Sequence, residues 1–292
     1  MIIIGENLNI MSKKIWAAFK HRDAQPIRDL ALAQTEAGVD FIDVNLGPLR
    51  KGGAELMEWV VGLVREVSDL PLCLDTTNIE AIEAGLQAFE GKALINSISA
   101  RPDRMGALLP LAKKYGAGFI GLTLGEEGIP HDANERGLLA AHIFSESAMY
   151  GIDEKDIWID PIALPVNSQQ IQIQGCTEFV MMLSELTSQA KSTCGLSNVS
   201  NGIPGSLRGI VNRTYLIMLK RYGIYSVIAD AFDKELHAIA KDSMPLIEAL
   251  VHKVMDHEMV DVSSLSTEEL GYVKTTKVLL GESLYTDLWL DA

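Results

Sequence analysis

Carboxylate and carboxamide side chains follow short apolar segments along most of the sequence. Seven of eight such segments are followed within two positions by one of them: Glu6, Asn45, Asp75, Asn96, Asp160, Asn198 and Asp230. Carboxylates accept hydrogen bonds, whereas carboxamides both accept and donate them. Together they suit a flat, neutral, nitrogen-rich ring such as a 2-amino-4-oxo-pyrimidine, because a carboxylate that meets two N–H donors is well satisfied and discriminates strongly.

Each of these residues, taken alone, is more often a cap for the following helix than a ligand-binding group. Asn78 and Asn96 in particular fit that simpler interpretation. Repetition at seven segment ends nevertheless favours a common site, because the carboxyl ends of strands in one barrel converge on one mouth.

Other chemistries are disfavoured by what the same positions lack. No lysine or histidine stands at the end of an apolar segment, which argues against a Schiff-base aldolase and against an enolase-like site that needs a basic residue. The sequence at the end of the last segment reads ADAFD (229–233), whose negative charge repels phosphate. The three cysteines, Cys73, Cys176 and Cys194, form no CxxC motif, and no metal site is predicted.

The apolar segments themselves predict eight buried strands. They cover residues 1–4, 41–44, 72–74, 93–95, 119–124, 157–159, 192–196 and 226–229. Amphipathic helical patterns lie between them, for example at 56–67 and 79–89. Eight strand–helix units in about 240 residues predict an α/β fold of the (β/α)8 TIM-barrel type. An open, doubly wound sheet is the alternative, although the first strand is not followed by GxGxxG.

Glycine and proline mark the predicted helix ends. Helices are predicted to end at Gly38, Gly116, Gly151 and Gly223, and to begin at Pro26 and Pro102. After the eighth strand, a helical pattern at 234–256, a loop at 260–267 and a further helix to about residue 280 predict an enlarged C-terminal helical region. Because no Ser- or Pro-rich linker separates it, residues 1–292 are predicted to form a single domain, with 235–292 as the enlarged eighth helical region and C-terminal cap.

Composition and charge restrict the class of protein. Over 292 residues, 48% are apolar and 22% charged, which is typical of a globular protein with a substantial core. The net charge of −14 disfavours nucleic-acid and membrane partners, which need basic surfaces. Three cysteines fit a reducing compartment, and the four apolar residues before Gly5 are too few for a signal-peptide core. A cytoplasmic location is therefore expected.

Seven blocks of sequence, taken in order, resemble the methyltetrahydrofolate:corrinoid-protein methyltransferases. They are IGENLNI, GVDFIDVNLGP, LCLDTTN, ALINSIS, IGLTLGEEGIP, WIDPIALP and GLSNVSNG. That family belongs to the pterin-binding barrel superfamily, with dihydropteroate synthase and the folate module of cobalamin-dependent methionine synthase. The resemblance covers about residues 1–233 and resumes at 274–289.

The resemblance implies which residues hold a folate. Matched by position, Asp75, Asn96 and Asp160 correspond to residues that hold the pterin, and Asn198 to an asparagine placed near its N5 atom. The other implied contacts are Gly195, Ser197, Asn201, Arg208 and Ile228, with Asn201 standing where the family more often has glutamine.

The implied reaction moves a methyl group between N5 of tetrahydrofolate and the cobalt of a corrinoid, with Asn198 and Asp160 as the catalytic residues. Tetrahydrofolate or 5-methyltetrahydrofolate is the expected substrate. Cobalamin is expected on a partner corrinoid protein, because the sequence has no cobalamin-binding DxHxxG segment. The direction of transfer stays open, and a homodimer is expected because barrels often pair through outer helices.

Two alternatives remain beside this reaction. The first is a dihydropteroate synthase-like condensing enzyme, which is disfavoured because GLSN stands where the synthases have a lysine-containing motif. The second is a non-catalytic pterin-binding subunit, in which the strand-end residues are helix caps and the C-terminal region is the working surface.

Overall fold

Eight parallel strands form the centre of the protein. The structure is a computed structural model that describes residues 1–49 and 51–291. The strands of the described residues are β1 (Ile2–Gly5), β2 (Phe41–Gly47), β3 (Leu72–Thr76), β4 (Leu94–Ser99), β5 (Gly118–Leu122), β6 (Ile157–Asp160), β7 (Lys191–Ser192) and β8 (Ser226–Ala229). They are hydrogen-bonded in the order β7-β6-β5-β4-β3-β2-β1-β8, all in parallel. The predicted α/β class and the (β/α)8 TIM barrel are confirmed.

The barrel closes between β7 and β8 through single contacts instead of a full ladder. Beyond β7, which has only two residues, a parallel bridge joins Gly195 to Ile228. The Ile228 N–H donates to the Cys194 carbonyl at 2.8 Å. The eight strands therefore form a nearly closed barrel and not the open sheet that was the alternative.

The predicted seventh strand, 192–196, is wrong at its carboxyl end. Leu196–Ser200 form a 3-10 helix, and Gly195 before it has φ −67° and ψ 83°. The Asn198 N–H donates to the Gly195 carbonyl at 3.2 Å, so the chain turns here although the apolar pattern continues. An apolar pattern indicates that residues are buried, but it does not by itself determine that they are extended.

Twelve α-helices pack around the strands in the described part of the chain. They are α1 (Lys13–His21), α2 (Gln25–Ala37), α3 (Gly53–Arg65), α4 (Ile79–Ala88), α5 (Pro102–Tyr115), α6 (Ala133–Met149), α7 (Val166–Gln169), α8 (Gln172–Leu186), α9 (Gly205–Arg221), α10 (Lys234–Ala240), α11 (Pro245–Met255) and α12 (Thr267–Leu279). Asn78 caps α4 by accepting from the Ala81 N–H at 3.2 Å, and Gly38 and Gly116 end α2 and α5 in the left-handed conformation. The sequence pattern does not predict α1. Among these helices, none is both long and apolar enough to cross a membrane.

The C-terminal helical region differs from the prediction at one place. The helix predicted at 234–256 is divided into α10 and α11, because Asp242 has φ 57° and Pro245, which would disrupt a helix interior, begins α11. The last residues fold back, and the Trp289 indole N–H donates to the Thr275 hydroxyl at 3.0 Å. Side chains of α11 and α12 belong to the same buried apolar cluster as the helices around the barrel.

Strand register places the polar ends of neighbouring strands side by side. An apolar cluster fills the barrel below them: Ile4, Cys73, Leu94, Ile120 and Trp158. Side chains alternate along a strand, so Asp75 and Asn96, two residues beyond Cys73 and Leu94, also point into the barrel. Asn45 is paired in register with Asp75, and Asp75 with Asn96. Register alone therefore brings these three side chains to one mouth.

Candidate active site

One side of the barrel mouth is built by β2, β3 and β4. The Asn45 carboxamide donates to the Asp75 carboxylate, and the Asn96 carboxamide donates to Asp43 Oδ1 at 3.2 Å. Asp75 and Asn96 line a cavity of about 630 Å³ together with Leu122. Both predicted pterin-binding residues on this side are thus held by a side chain of β2.

Two carboxyl groups on this side lie close together. Asp43 is 1% exposed, and burial raises its pKa to about 6 although the Asn96 and Asn45 carboxamides act in the opposite direction. Burial, with the charge of Asp43 as a second cause, raises the pKa of Asp75 well above its ordinary value. Burial and mutual repulsion therefore favour the protonated form of this pair, whereas N–H donors of a ligand would favour the ionised form.

Asp160 ends β6 and is 6% exposed. Its Oδ1 accepts from the Ile162 N–H at 2.7 Å, and its Oδ2 accepts from the Gly195 N–H at 3.2 Å. Burial raises the pKa of Asp160 to about 6, while these two bonds and the Arg136 charge act in the opposite direction. Ile162 has φ 64°, an uncommon conformation for a β-branched residue that costs about 1–3 kcal/mol. The surroundings of this loop must therefore hold it in place.

The segment after β7 presents a carboxamide beside a bare backbone. A Cβ at Gly195 would lie 3.0 Å from Asn198 Nδ2, so a side chain here would crowd that carboxamide, and it would contact Asp160 Oδ2 at 4.0 Å. The Asn201 carboxamide donates to Asn198 Oδ1 at 3.3 Å. Ile228, the predicted apolar wall, is bridged to Gly195 and packs against the apolar cluster inside the barrel. Gly195, Asn198 and Asp160 are thus brought together as predicted.

A second side of the mouth joins β1, β8 and the segment after β7. The Ser197 hydroxyl donates to Glu6 Oε2 at 2.8 Å, and the Asn7 carboxamide donates to Asp230 Oδ1 at 2.8 Å. Burial raises the pKa of Glu6 to about 7, and the charges of Asp230 and Asp43 act in the same direction. Glu6 can therefore gain or lose a proton near neutral pH.

Arg208 is the basic residue that the sequence predicts for the site. Its Nε donates to Ser200 Oγ at 3.0 Å and its Nη2 to the Ser197 carbonyl at 3.3 Å. The side chain lines a cavity of about 500 Å³ together with Glu6 and Ser197. This cavity differs from the one beside Asp75, so Asp75 and Asn96 border one cavity of the mouth, and Ser197 and Arg208 border the other.

The sequence profile of pterin binding enzymes matches this chain over residues 5–228. The chain belongs to that family. This pterin-binding enzyme is 28% identical to the methylcorrinoid:tetrahydrofolate methyltransferase of Eubacterium limosum over 238 residues, which are 81% of this chain and 87% of that relative. It is 27% identical to the methionine synthase of Mycobacterium leprae over 242 residues, which are 79% of this chain and 20% of that much longer relative.

Solved structures similar to the pterin-binding enzyme include several dihydropteroate synthases. The synthase of Clostridium difficile, determined in the presence of pteroic acid, has a TM-score of 0.63 and 17% identity, over 84% of this chain and 96% of that chain. A Yersinia pestis synthase with a sulfonamide drug complex has a TM-score of 0.62 and 18% identity, over 84% and 94% of the two chains. At such identities the likeness establishes a shared fold and does not identify the reaction.

Some residues at the mouth of the pterin-binding enzyme lie outside the set of folate contacts that the resemblance implies. Asp43 and Asn45 alternate with Val44 along β2, and this alternation is a signal that both face the barrel interior. Glu6 is visible as a strand-end carboxylate, but its raised pKa depends on charges from distant parts of the chain. Arg136 approaches the site from a helix, so no strand-end pattern indicates it.

Proposed function

We propose that the protein is a methyltransferase that moves a methyl group between N5 of tetrahydrofolate and the cobalt of a corrinoid held by a partner protein. The activity named for the Eubacterium limosum relative, which this chain matches over 87% of that relative's length, supports this reaction. One arrangement carries the proposal. Asp75, Asn96 and Asp160 converge on the mouth, and an exposed Asn198 lies beside the bare backbone of Gly195.

The pyrimidine edge of the pterin is proposed to bind to the buried carboxyl groups. Its N–H groups donate to Asp75 and Asp160, and Asn96 both donates and accepts. Asp75 accepts these bonds in its ionised form, which burial and the Asp43 charge disfavour by raising its pKa. Folate binding is therefore expected to release a proton and to strengthen as the pH rises toward the pKa of Asp75.

The corrinoid is proposed to stay on its partner protein. The two cavities of the mouth have volumes of about 500 and 630 Å³, which suit parts of a folate and are too small to enclose a corrinoid with its side chains. When the partner is docked, its cobalt supplies the methyl acceptor in one direction and the methyl donor in the other. The residues of this chain must then bind the folate, keep N5 toward the open mouth and handle the proton at N5.

Asn198 is proposed to act on N5 itself. When the bond between N5 and the methyl carbon breaks, its electron pair remains on N5, which gains a proton. In the opposite direction, N5 uses that pair to attack the methyl carbon and loses its proton. An N–H donated by Asn198 to N5 stabilises the charge that develops there in the transition state.

Asn201 is proposed to orient Asn198. Its carboxamide donates to Asn198 Oδ1, which occupies the oxygen and leaves the NH₂ group of Asn198 for N5. The Nδ2 atom lies on the side of Gly195 and Asp160, where a flat ring has room. Asn201 then contributes through Asn198 and need not contact the pterin.

An asparagine cannot supply a proton, so the reaction needs an acid nearby. Glu6 has a pKa of about 7 and is bonded to Ser197, the residue before Asn198. Glu6 is proposed to exchange the proton with N5 through the Ser197 hydroxyl and water. Asp160, with a pKa of about 6, completes the network from the other side.

Arg208 is proposed to bind the p-aminobenzoate–glutamate part of the folate. Two of its nitrogen atoms are bonded to Ser200 and Ser197, so the guanidinium is fixed at the edge of the 500 Å³ cavity. A fixed guanidinium attracts a carboxylate such as that of the glutamate. Ile228 is proposed to contact the pterin ring as an apolar wall.

Anaerobic incubation separates the proposed reaction from the alternatives. The protein is mixed with methylcobalamin and tetrahydrofolate, and separately with Co(I) cobalamin and 5-methyltetrahydrofolate, while absorbance follows the cobalt. Methyl transfer in either direction is the expected result. Product from pterin pyrophosphate and p-aminobenzoate, without methyl transfer, would identify a dihydropteroate synthase. Tetrahydrofolate binding without any turnover would indicate a pterin-binding subunit.

Two further proposals concern oligomeric state and location. A homodimer is supported by exposed apolar side chains on α6 and α8, namely Leu138, Met149, Met181 and Leu186. Sedimentation equilibrium should give twice the chain mass of 31.9 kDa, and a monomer at micromolar concentration would contradict the proposal. A cytoplasmic location is supported by the three cysteines, all of which are free and buried.

A further inference from the structure

Arg136 on α6 is an arginine buried beneath the proposed folate site. Its side chain is 0% exposed, the largest fully buried side chain of the described residues. Nε donates to the Pro161 carbonyl at 2.9 Å, Nη1 to the Asp132 carbonyl at 3.0 Å, and Nη2 to Gln172 Oε1 at 3.1 Å. All three acceptors are uncharged, and no carboxylate of the described residues forms an ion pair with it. Burying a cation in this way is costly, so a specific benefit must offset the cost.

Helix α8 is shaped around the guanidinium. A Cβ at Gly175 would lie 3.0 Å from Arg136 Nη1, so a larger residue would press on the group. Gln172, one turn earlier on α8, supplies one of the three acceptors. A planar group with donors in several directions fits this position, whereas the single nitrogen of a lysine does not reach three separate acceptors.

The peptide that Arg136 holds is the one that fixes Asp160. Pro161 follows Asp160 directly, and Ile162 then turns back with φ 64° so that its N–H donates to Asp160 Oδ1 at 2.7 Å. The Cys176 thiol donates to the Ile162 carbonyl at 3.3 Å. Arg136 and Cys176 therefore hold consecutive carbonyls of an otherwise unfavourable turn, and the turn holds the carboxylate.

Among the titratable groups packed around Asp160 and its turn in the described residues, Arg136 is the one that carries a charge near pH 7. Burial raises the pKa of Cys176 on α8 to about 11, and it raises the pKa values of Cys194 and of Tyr215 on α9 well above their ordinary values. These three groups are neutral near pH 7, whereas a guanidinium is positive. Its charge favours the ionised form of Asp160, the form that accepts N–H bonds from a pterin.

We propose that Arg136 is a positioning residue for folate binding. It fixes Asp160 through the Pro161 peptide and keeps the Asp160 carboxyl group ionised, without touching the folate. The identity of the ligand in this inference rests on the proposed function, whereas the clamp itself rests on the contacts described above.

The test compares tetrahydrofolate affinity at pH 6 and pH 8 by calorimetry, for wild type, Arg136→Gln and Arg136→Lys. Loss of the charge is expected to raise the pKa of Asp160 by about 1, so that about 9% is ionised at pH 6 instead of about half. Arg136→Gln should therefore lose about five times more affinity at pH 6 than at pH 8. The affinity of each variant is divided by that of wild type at the same pH, so that effects from titration of the ligand and of Glu6 cancel. Arg28→Gln, on the outer surface of α2, is the matched control and should bind like wild type.

Arg136→Lys keeps the charge but loses the three-way geometry. It should weaken binding about threefold or more, by the same factor at both pH values. Wild-type affinity of Arg136→Lys at both pH values would overturn the positioning role, even if Arg136→Gln fails to fold. An equal loss at both pH values in folded Arg136→Gln would overturn the electrostatic role. Absence of binding to the wild-type protein at either pH would instead contradict the proposed function.

Discussion

The two sides of the barrel mouth balance their charges in different ways. At the ends of β2, β3 and β4, the Asp43 and Asp75 carboxyl groups are surrounded by carboxamides, and no basic side chain of the described residues bonds to either. On the side of β1, β8 and the segment after β7, Glu6 is bonded to a hydroxyl, and the positive charge of Arg208 lowers its pKa against the effect of burial. No cation therefore lowers the pKa values of the carboxyl pair on the first side, although Arg101 and Arg104 line the same cavity, whereas Arg208 acts on Glu6 on the second side.

This difference indicates a division of labour within one mouth. A pair of buried carboxyl groups without a cation beside it is stabilised by a ligand rich in N–H donors, so the first side is suited to recognition. A carboxyl group with a pKa near 7 beside an exposed carboxamide is suited to moving a proton, so the second side is suited to the chemical step. Substitutions on the first side should change affinity, and substitutions on the second side should change rate.

The largest effect is expected for Asn198→Ala on the second side. Loss of one N–H donor to the charge at N5 should slow single-turnover methyl transfer about 100-fold, while tetrahydrofolate affinity falls less than about threefold. Stopped-flow absorbance of the cobalt measures the first quantity and calorimetry the second. Asn134→Ala, at an exposed position of α6, is the control. A rate within about tenfold of wild type, or about 1.4 kcal/mol, would show that Asn198 does not act on N5.

Asp75→Asn on the first side should do the reverse. The carboxamide places an N–H against the N–H donors of the pterin, so affinity should fall about 50-fold while the rate at saturating folate changes little. The melting temperature should not fall, because the variant also removes the repulsion between Asp75 and Asp43. The control is Asp69→Asn, whose side chain is 102% exposed. Unchanged affinity in calorimetry would count against the assignment, and a loss of rate alone would abolish the distinction between the two sides.

The strands and most of the site residues could be predicted because their signals are local. Asp75, Asn96 and Asp160 each end a buried apolar run, and parallel register then brings such ends to one mouth. The break before Pro245 was also visible in the sequence, but the helical periodicity on both sides of it favoured one long helix.

The rest depends on contacts between distant parts of the chain. The turn at Gly195 forms where this segment contacts β8 through Ile228. The residues next to Gly195 in the sequence do not indicate that contact. The pKa of Glu6 depends on Asp230, which lies more than two hundred residues away along the chain. Arg136 reaches its three acceptors from α6, where it has the same sequence appearance as any helical surface arginine.

Glu6→Gln is expected to have a smaller effect than the two preceding substitutions, of about tenfold on the rate at pH 7. Wild-type rates should change with pH around 7, and the variant should lose this dependence, because glutamine keeps the bond from Ser197 but cannot exchange a proton. The measurement is single-turnover transfer from pH 5.5 to 8.5. A variant with the wild-type pH profile would remove Glu6 from the proton path.

The same variant, Glu6→Gln, is also expected to change how the free energy of unfolding depends on pH. Because the folded-state pKa of Glu6 is raised from 4.5 to about 7, its contribution to the free energy of unfolding is present below pH 4.5 and is lost as the pH rises through about 7. Glu6→Gln should therefore match wild type near pH 4.5 and be more stable at pH 8, by up to about 3 kcal/mol. Urea denaturation at the two pH values measures the difference.

The smallest effect, and one of opposite sign, is expected for Asp43→Asn. Asp43 lies below the pterin position and bonds to Asn96, an interaction that an asparagine oxygen preserves. Removing the charge of Asp43 lowers the pKa of Asp75, although burial still raises it. Ionising Asp75 then costs less free energy. Tetrahydrofolate should therefore bind about threefold more tightly at pH 6. Calorimetry in two buffers of different ionisation enthalpy should show that the variant releases fewer protons than wild type when tetrahydrofolate binds. Equal affinity and equal proton release in both proteins would mean that the charge of Asp43 does not act on Asp75, and the expected coupling between the two carboxyl groups would be wrong.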